Sequence, residues 1–181
     1  MAAAFLCSFA GAQADDALAA FEREDYATAA ALYRPRADRG DAEAQYRLGM
    51  MLRFGWGVDK DAAAAAAMLR LAADRDHPLA QAELGTMYRL GRGVPENPQE
   101  AARLLRAAAL AGVGIAQLSI GRMYRDGVGV ASDPVEAYAW FQLAGENSVM
   151  DGFAFRSEIA GTMTGEQIAA ARKLAAERAR K

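Results

Sequence analysis

The 181-residue sequence holds one cysteine, Cys7, and one histidine, His77. An internal disulfide is therefore excluded, and a zinc site needs more ligands than one histidine supplies. Proline is scarce, with five residues. No stretch alternates polar and apolar residues with the period of a strand. The net charge is −2, which gives no general attraction to nucleic acid or anionic lipid. No serine elbow accompanies His77, so the usual hydrolase signature is missing. What remains is an alanine-rich chain with ordinary soluble composition, which predicts an all-α fold.

Residues 1–14 carry no charged side chain and are mostly apolar. Ala12-Gln13-Ala14 fits the small-x-small pattern before a cleavage point, and Asp15-Asp16 follow. The segment reads as a secretory signal peptide cut after Ala14, and is too short to span a bilayer. The alternative is an unexported N-terminal tail. Cys7 would leave with the signal, and Leu6 before it does not suit a lipobox.

Three segments, 44–58, 80–94 and 116–130, share one pattern: "AQYRLGMMLRFGWGV", "AQAELGTMYRLGRGV" and "AQLSIGRMYRDGVGV". Gly49, Gly85 and Gly121 repeat at a step of 36 residues, as do the pairs Gly55/Gly57, Gly91/Gly93 and Gly127/Gly129. Fixed-period copies mark a solenoid. A first helix (helix A) is predicted over 42–54, 78–90 and 114–126, and its interior glycine implies close approach by a neighbouring helix. The Gly-x-Gly-Val segment ends that helix, with Val58, Val94 and Val130 filling the space between two helices. A phosphate loop would follow a strand and occur once; here the segment follows a helix and recurs, so no nucleotide or other cofactor is implied.

A second helix (helix B) starts at the N-caps Asp61, Asn97 and Asp133. Pro98 and Pro134 take the first helical position, and Glu100 and Glu136 complete capping boxes. The small residues Ala65, Ala101 and Ala137, and Ala72, Ala108 and Ala144, imply tight packing. Gly112 closes the second unit, where the first has Asp76-His77-Pro78. Shifted back by 36 residues, the pattern makes 15–41 a degenerate repeat with Pro35 late in its helix B. Forward it fails, because Ser157 and Met163 stand at glycine positions. Thr164 and Gln167 instead open a closing helix. The expected organisation is 1–14 signal peptide, 15–41 degenerate repeat, 42–77, 78–113 and 114–149 full repeats, and 150–181 capping helices.

The pattern Ala116-Gln117, Gly121, Met123-Tyr124, Gly127, Gly129-Val130, Asp133, Ala137 and Trp140 resembles the Sel1-like repeat, a relative of the tetratricopeptide repeat. The first full unit departs from it, with Leu52 for the usual Tyr and Met68 where the third has Trp140. The resemblance implies α-α hairpins stacked as a right-handed superhelical solenoid. It also implies an adaptor role, in the envelope for many exported bacterial examples, with helix A lining the concave face. Some disulfide-rich relatives were described as weak β-lactam hydrolases, but this chain lacks their cysteine pairs.

On this reading the chain is a non-enzymatic adaptor or regulatory protein, periplasmic or secreted. It binds a protein or peptide, without nucleic acid, metal or stable membrane insertion, and is expected to be a monomer. The rival is a degenerate hydrolase acting on cell-wall or β-lactam material, with His77 as its testable residue. Partner specificity is expected where exposed positions break the repeat: Arg47, Glu83 and Ser119 in one column, and Met50, Thr86 and Arg122 in another. Trp56 is either an exposed hot spot or packed on Phe54 or the next unit. Arg53, Arg89 and Arg125 form either a basic stripe or solvated helix ends. Met51, Met87 and Met123 read as core. Tyr138, Trp140, Phe141, Phe153 and Phe155 form either a core plug or an apolar docking patch.

Overall fold

The computed structural model describes residues 16–180, so the expected signal peptide and Cys7 lie outside the described residues. Among the described residues there are ten helices and no strand. They are α1 (16–22), α2 (Tyr26–Asp38), α3 (Ala42–Phe54), α4 (Ala62–Ala73), α5 (Pro78–Leu90), α6 (Pro98–Leu110), α7 (Gly114–Asp126), α8 (Pro134–Glu146), α9 (Asp151–Ala160) and α10 (Gly165–Arg178). The chain forms two compact units, Met1–Ala80 and Gln81–Lys181. The three helices A begin and end where the sequence pattern places them, and the fold is that of a helical repeat solenoid.

Each hairpin rests on one turn chemistry. Gly55 and Gly127 take left-handed φ values of 80° and 69° and stop α3 and α7. Asp61, Asn97 and Asp133 then cap α4, α6 and α8, accepting N–H groups of the first turn. The main-chain N–H of each cap donates to a carbonyl of its own helix A: Asp61 to Leu52, Asn97 to Tyr88 and Asp133 to Tyr124, at 2.9, 2.9 and 3.0 Å. This bond corrects one expectation. A capping box needs the third-position Glu to accept that same N–H, and here it is already satisfied. Glu100 pairs instead with Arg103 at 2.6 Å, and Glu136 with Arg178 at 2.9 Å. The box at Thr164 and Gln167 does form.

The helix-A glycines meet helix B of their own unit. A Cβ on Gly121 would lie 2.7 Å from the ring of Phe141 and 3.3 Å from Cβ of Trp140. Both aromatic residues are fully buried, so the groove left by the missing side chain is where α8 seats. The loop valines Val58 and Val130 are half-buried against the two core clusters rather than sealed within them.

The core of the first unit gathers Ala20, Ala29, Tyr33, Ala44, Leu48 and Met51. That of the second unit is built around Leu105, Ile120, Met123, Trp140 and Phe141. The recurring methionines are core, as their helical spacing indicated. Tyr138, Trp140 and Phe141 are a core plug beneath the closing helices; Phe155 packs on Phe141 at 5.4 Å, and Phe153 keeps 43% of its surface exposed. The repeated glutamine also acquires a role. Gln45 and Gln117 are buried, and their amide nitrogens donate to the carbonyls of Ala37 and Ala109, eight residues back. Each ties the start of a helix A to the last turn of the preceding helix B, where carbonyls lack intrahelical partners.

Candidate partner-binding face

In the first unit, Arg47 lies one helical turn beyond Glu43 on α3, and their side chains meet at 2.5 Å. The guanidinium also covers the ring of Phe21 at 5.8 Å. His77 joins from the turn before α5, donating through Nε2 to Glu43 at 3.0 Å. Its Nδ1 accepts the N–H of Ala80 at 3.2 Å, which places the ring proton on Nε2. The imidazole stacks on Tyr46, centroids 4.8 Å apart. His77 therefore ties the turn at 77–80 to Glu43 on α3 within the first unit.

Arg47 is thus engaged structurally. Charge reversal there sets a second carboxylate one turn from Glu43, which is destabilising in itself. A loss of binding on reversal at Arg47 would therefore include a structural contribution. Met50 is half-buried beside it. Trp56 is half-buried and stacks on Phe54 at 4.7 Å and Tyr26 at 5.8 Å, with Phe21 edge-on at 5.7 Å. Its packing partners beyond Phe54 belong to the preceding repeat, where the sequence pointed to the next.

Burial would raise the pKa of Glu43, but hydrogen bonds from His77 and Arg47 and the Arg47 charge outweigh it, and the carboxyl sits below its ordinary value. Burial likewise opposes the Asp41 carboxylate, and the Ala44 N–H with the Arg36 guanidinium overcomes it. Carboxylates held below their unfolded values stabilise the fold above the unfolded pKa and cease to do so as pH falls through the folded one. The melting temperature of the first unit should therefore drop on acidification below about pH 4. An Asp41→Asn/Glu43→Gln variant should melt lower at neutral pH and show a flatter acid dependence; parallel pH curves for the two proteins would contradict this. Thermal melts followed by circular dichroism decide it.

In the second unit, Glu83 and Thr86 on α5 and Ser119 and Arg122 on α7 are all half-buried. The hydroxyls of Thr86 and Ser119 donate back to the carbonyls of Ala82 and Ile115, at 2.9 and 2.8 Å, so each oxygen remains an acceptor. Ser119 and Arg122 line a cleft of about 240 Å³ with Arg89, Met123, Asp126 and Val128. Glu83 and Thr86 are not among the residues lining it. Arg122 stacks on Phe155 at 4.5 Å and approaches the Asp151 carboxylate at 3.8 Å. Arg125, paired with Asp126 at 2.7 Å, covers the same ring at 5.2 Å.

The cleft is therefore lined by two guanidiniums, two apolar side chains, one hydroxyl and one carboxylate. Its members Arg89 and Asp126 were not singled out as binding residues in the sequence. Arg89 recurs in step with Arg53 and Arg125 and so looks structural; only the fold shows that it borders a cleft. Among the described residues, no group of three or more His, Cys, Asp or Glu could hold a metal ion. Nor is any helix there long and apolar enough to cross a membrane.

Hairpins at a fixed period, with variable side chains on helix A, define a helical-repeat protein of the kind that presents a surface to other proteins. The Sel1 repeat model matches residues 42–77, 78–113 and 114–149, more than half of the chain, and the chain belongs to the Sel1 repeat family. A crystal structure of a protective antigen present in uropathogenic Escherichia coli strains, displaying an SLR fold, is similar with a TM-score of 0.78 and 34% identity, covering 84% of this chain and 33% of that one. A Sel1 repeat protein from Oxalobacter formigenes is similar with a TM-score of 0.75 and 26% identity, covering 78% of this chain and 58% of that one. The chain thus spans about a third of the first and under three fifths of the second. No curated protein matched the sequence. Sel1 repeat proteins generally mediate protein–protein interaction, and their fold is typically a non-catalytic scaffold.

Proposed function

We propose that this chain is a non-enzymatic adaptor or regulatory protein that binds a protein or peptide segment along its helix-A faces, in the cell envelope after removal of residues 1–14. The observation that carries the reading is the α5–α7 cleft. Its rim bears the positions that differ between repeats, Ser119 and Arg122, while recurring positions such as Met123 form its floor. Two guanidiniums, exposed Arg89 and half-buried Arg122, beside an apolar floor suit a peptide carrying both carboxylates and apolar side chains. The charge-free, apolar composition of residues 1–14 supports export.

The test is capture from a bacterial envelope extract with the wild-type chain and with an Arg89→Glu/Arg122→Glu variant. One stoichiometric partner should be retained by the wild type and lost by the variant, at roughly tenfold or more in affinity. N-terminal sequencing of the chain recovered from the periplasm should begin at Asp15. Equal capture by both chains would remove the cleft from the reading, and an intact Met1 would remove the export.

A further inference from the structure

A different face of the second unit carries arginines that have no acidic partner among the described residues. Where α9 and α10 both pack on α8, a groove of about 530 Å³ opens. That size lies within the roughly 300–1,000 Å³ of ligand-binding clefts. Ala175, Ala176 and Ala179 line it, with Arg156, Arg172 and Arg180 around them and Gln142 and Glu146 on the α8 side. Arg156 donates to the amide oxygen of Gln142 at 2.8 Å and stacks on Phe153 at 5.0 Å. Arg172 donates through Nε to the hydroxyl of Tyr138 at 3.3 Å.

Arg36, Arg47, Arg103, Arg122, Arg125 and Arg178 each have a carboxylate within ion-pair distance. Among the described residues the three groove arginines have none. Two of them are held by neutral groups, which orient a guanidinium without consuming its charge. Glu146, the one acid in the groove, is engaged by the Gln142 amide at 2.6 Å. The groove therefore concentrates positive charge on a chain whose net charge is −2.

We propose that the groove between α8, α9 and α10 is a second binding site, which takes an acidic peptide segment of a partner protein. Planar, pre-oriented guanidiniums receive side-chain carboxylates in paired hydrogen bonds, and the alanines admit the peptide backbone closely. No aromatic side chain lines the groove to stack bases, which favours a peptide over a single-stranded nucleic acid. The site is separate from the α5–α7 cleft, and its test involves no residue of that cleft.

The experiment is fluorescence anisotropy of a labelled alternating Glu-Ala peptide titrated with the full chain at low and moderate salt. The wild type should bind, more weakly as salt rises. Arg156→Gln/Arg172→Gln should lose affinity about tenfold or more, whereas Arg34→Gln in the first unit should not. Because losing the Arg172–Tyr138 bond could loosen α10, Ala176→Glu serves as a second variant. That exposed position admits a side chain, and its carboxylate would occupy the arginines from within, lowering peptide affinity while the melting temperature holds. Three results would overturn the proposal: no binding by the wild type at millimolar peptide, equal binding by all variants, or tighter binding to an oligothymidylate or to phosphatidylglycerol vesicles than to the peptide.

Discussion

Replacing Gly129 with alanine should destabilise the protein by about 3–5 kcal/mol, among the largest effects of any single methyl added to this chain. Two separate costs meet there. Gly129 has φ +71°, where an L side chain is strained, at about 1–2 kcal/mol. Its Cβ would also lie 2.1 Å from the carbonyl oxygen of Pro98 and 2.5 Å from the carbonyl carbon, main-chain atoms at the fixed start of α6 that no rotamer change can clear. Gly112 separates the two costs. It has φ +86° but nothing within 4 Å of the added carbon, so Gly112→Ala should cost only the conformational part, about 1–2 kcal/mol. Urea unfolding of both variants followed by circular dichroism measures the difference. If the two lose the same stability, the contact with α6 contributes nothing and only the turn geometry matters.

The comparison gives the Gly-x-Gly-Val loop its physical meaning. The first glycine ends a helix; the second lets the loop of one repeat sit directly on the first turn of the helix B before it. Gly57 does the same in the first unit, where a Cβ would lie 2.2 Å from the carbonyl carbon of Tyr26. Around that contact Trp56, Tyr26 and Phe21 close over the joint. The loop is thus an inter-repeat contact as well as a turn. At Gly57 and Gly129 the second glycine is needed because the adjacent repeat's backbone lies within van der Waals distance.

This explains which features were legible in the sequence. Helix limits, caps and packing glycines depend on residue types that few others can replace, so their recurrence exposed the period and the hairpins. Other equivalent positions were hidden because unlike residues share one conformation. Gly40, Asp76, Gly112 and Ser148 also recur at a step of 36, all with positive φ at the end of a helix B, yet two are not glycine. The capping boxes were misread for a related reason: the sequence shows a glutamate three residues after the cap, but not that a carbonyl of helix A already accepts the cap's N–H. The candidate clefts were least legible. Arg89 and Asp126, or Arg156 and Arg172, come together only once separate helices are packed, and nothing in the local spacing of a charged residue shows whether its partner is a carboxylate or a neutral amide.

The end of the repeat offers the second large effect, at Gly152. Here the period has failed, yet a close approach persists: a Cβ on Gly152 would lie 2.3 Å from the nitrogen and 2.8 Å from the Cα of Gly145, and 2.9 Å from the carbonyl carbon of Ala144. All three are main-chain atoms of α8. Alanine would return about 1 kcal/mol of helix propensity to α9, but the steric cost exceeds it, and a net loss of about 2–4 kcal/mol is expected. The damage should be local. Hydrogen exchange should accelerate across 151–160, because α9 can no longer seat on α8, while α2 to α4 in the first unit keep their protection. Arg156 rides on α9, so affinity for the acidic peptide should fall with it, whereas Gly112→Ala should leave that affinity intact. Unchanged protection over 151–160 in Gly152→Ala would mean that α9 is held by Phe155 and Ile159 in the core cluster rather than by the glycine crossing.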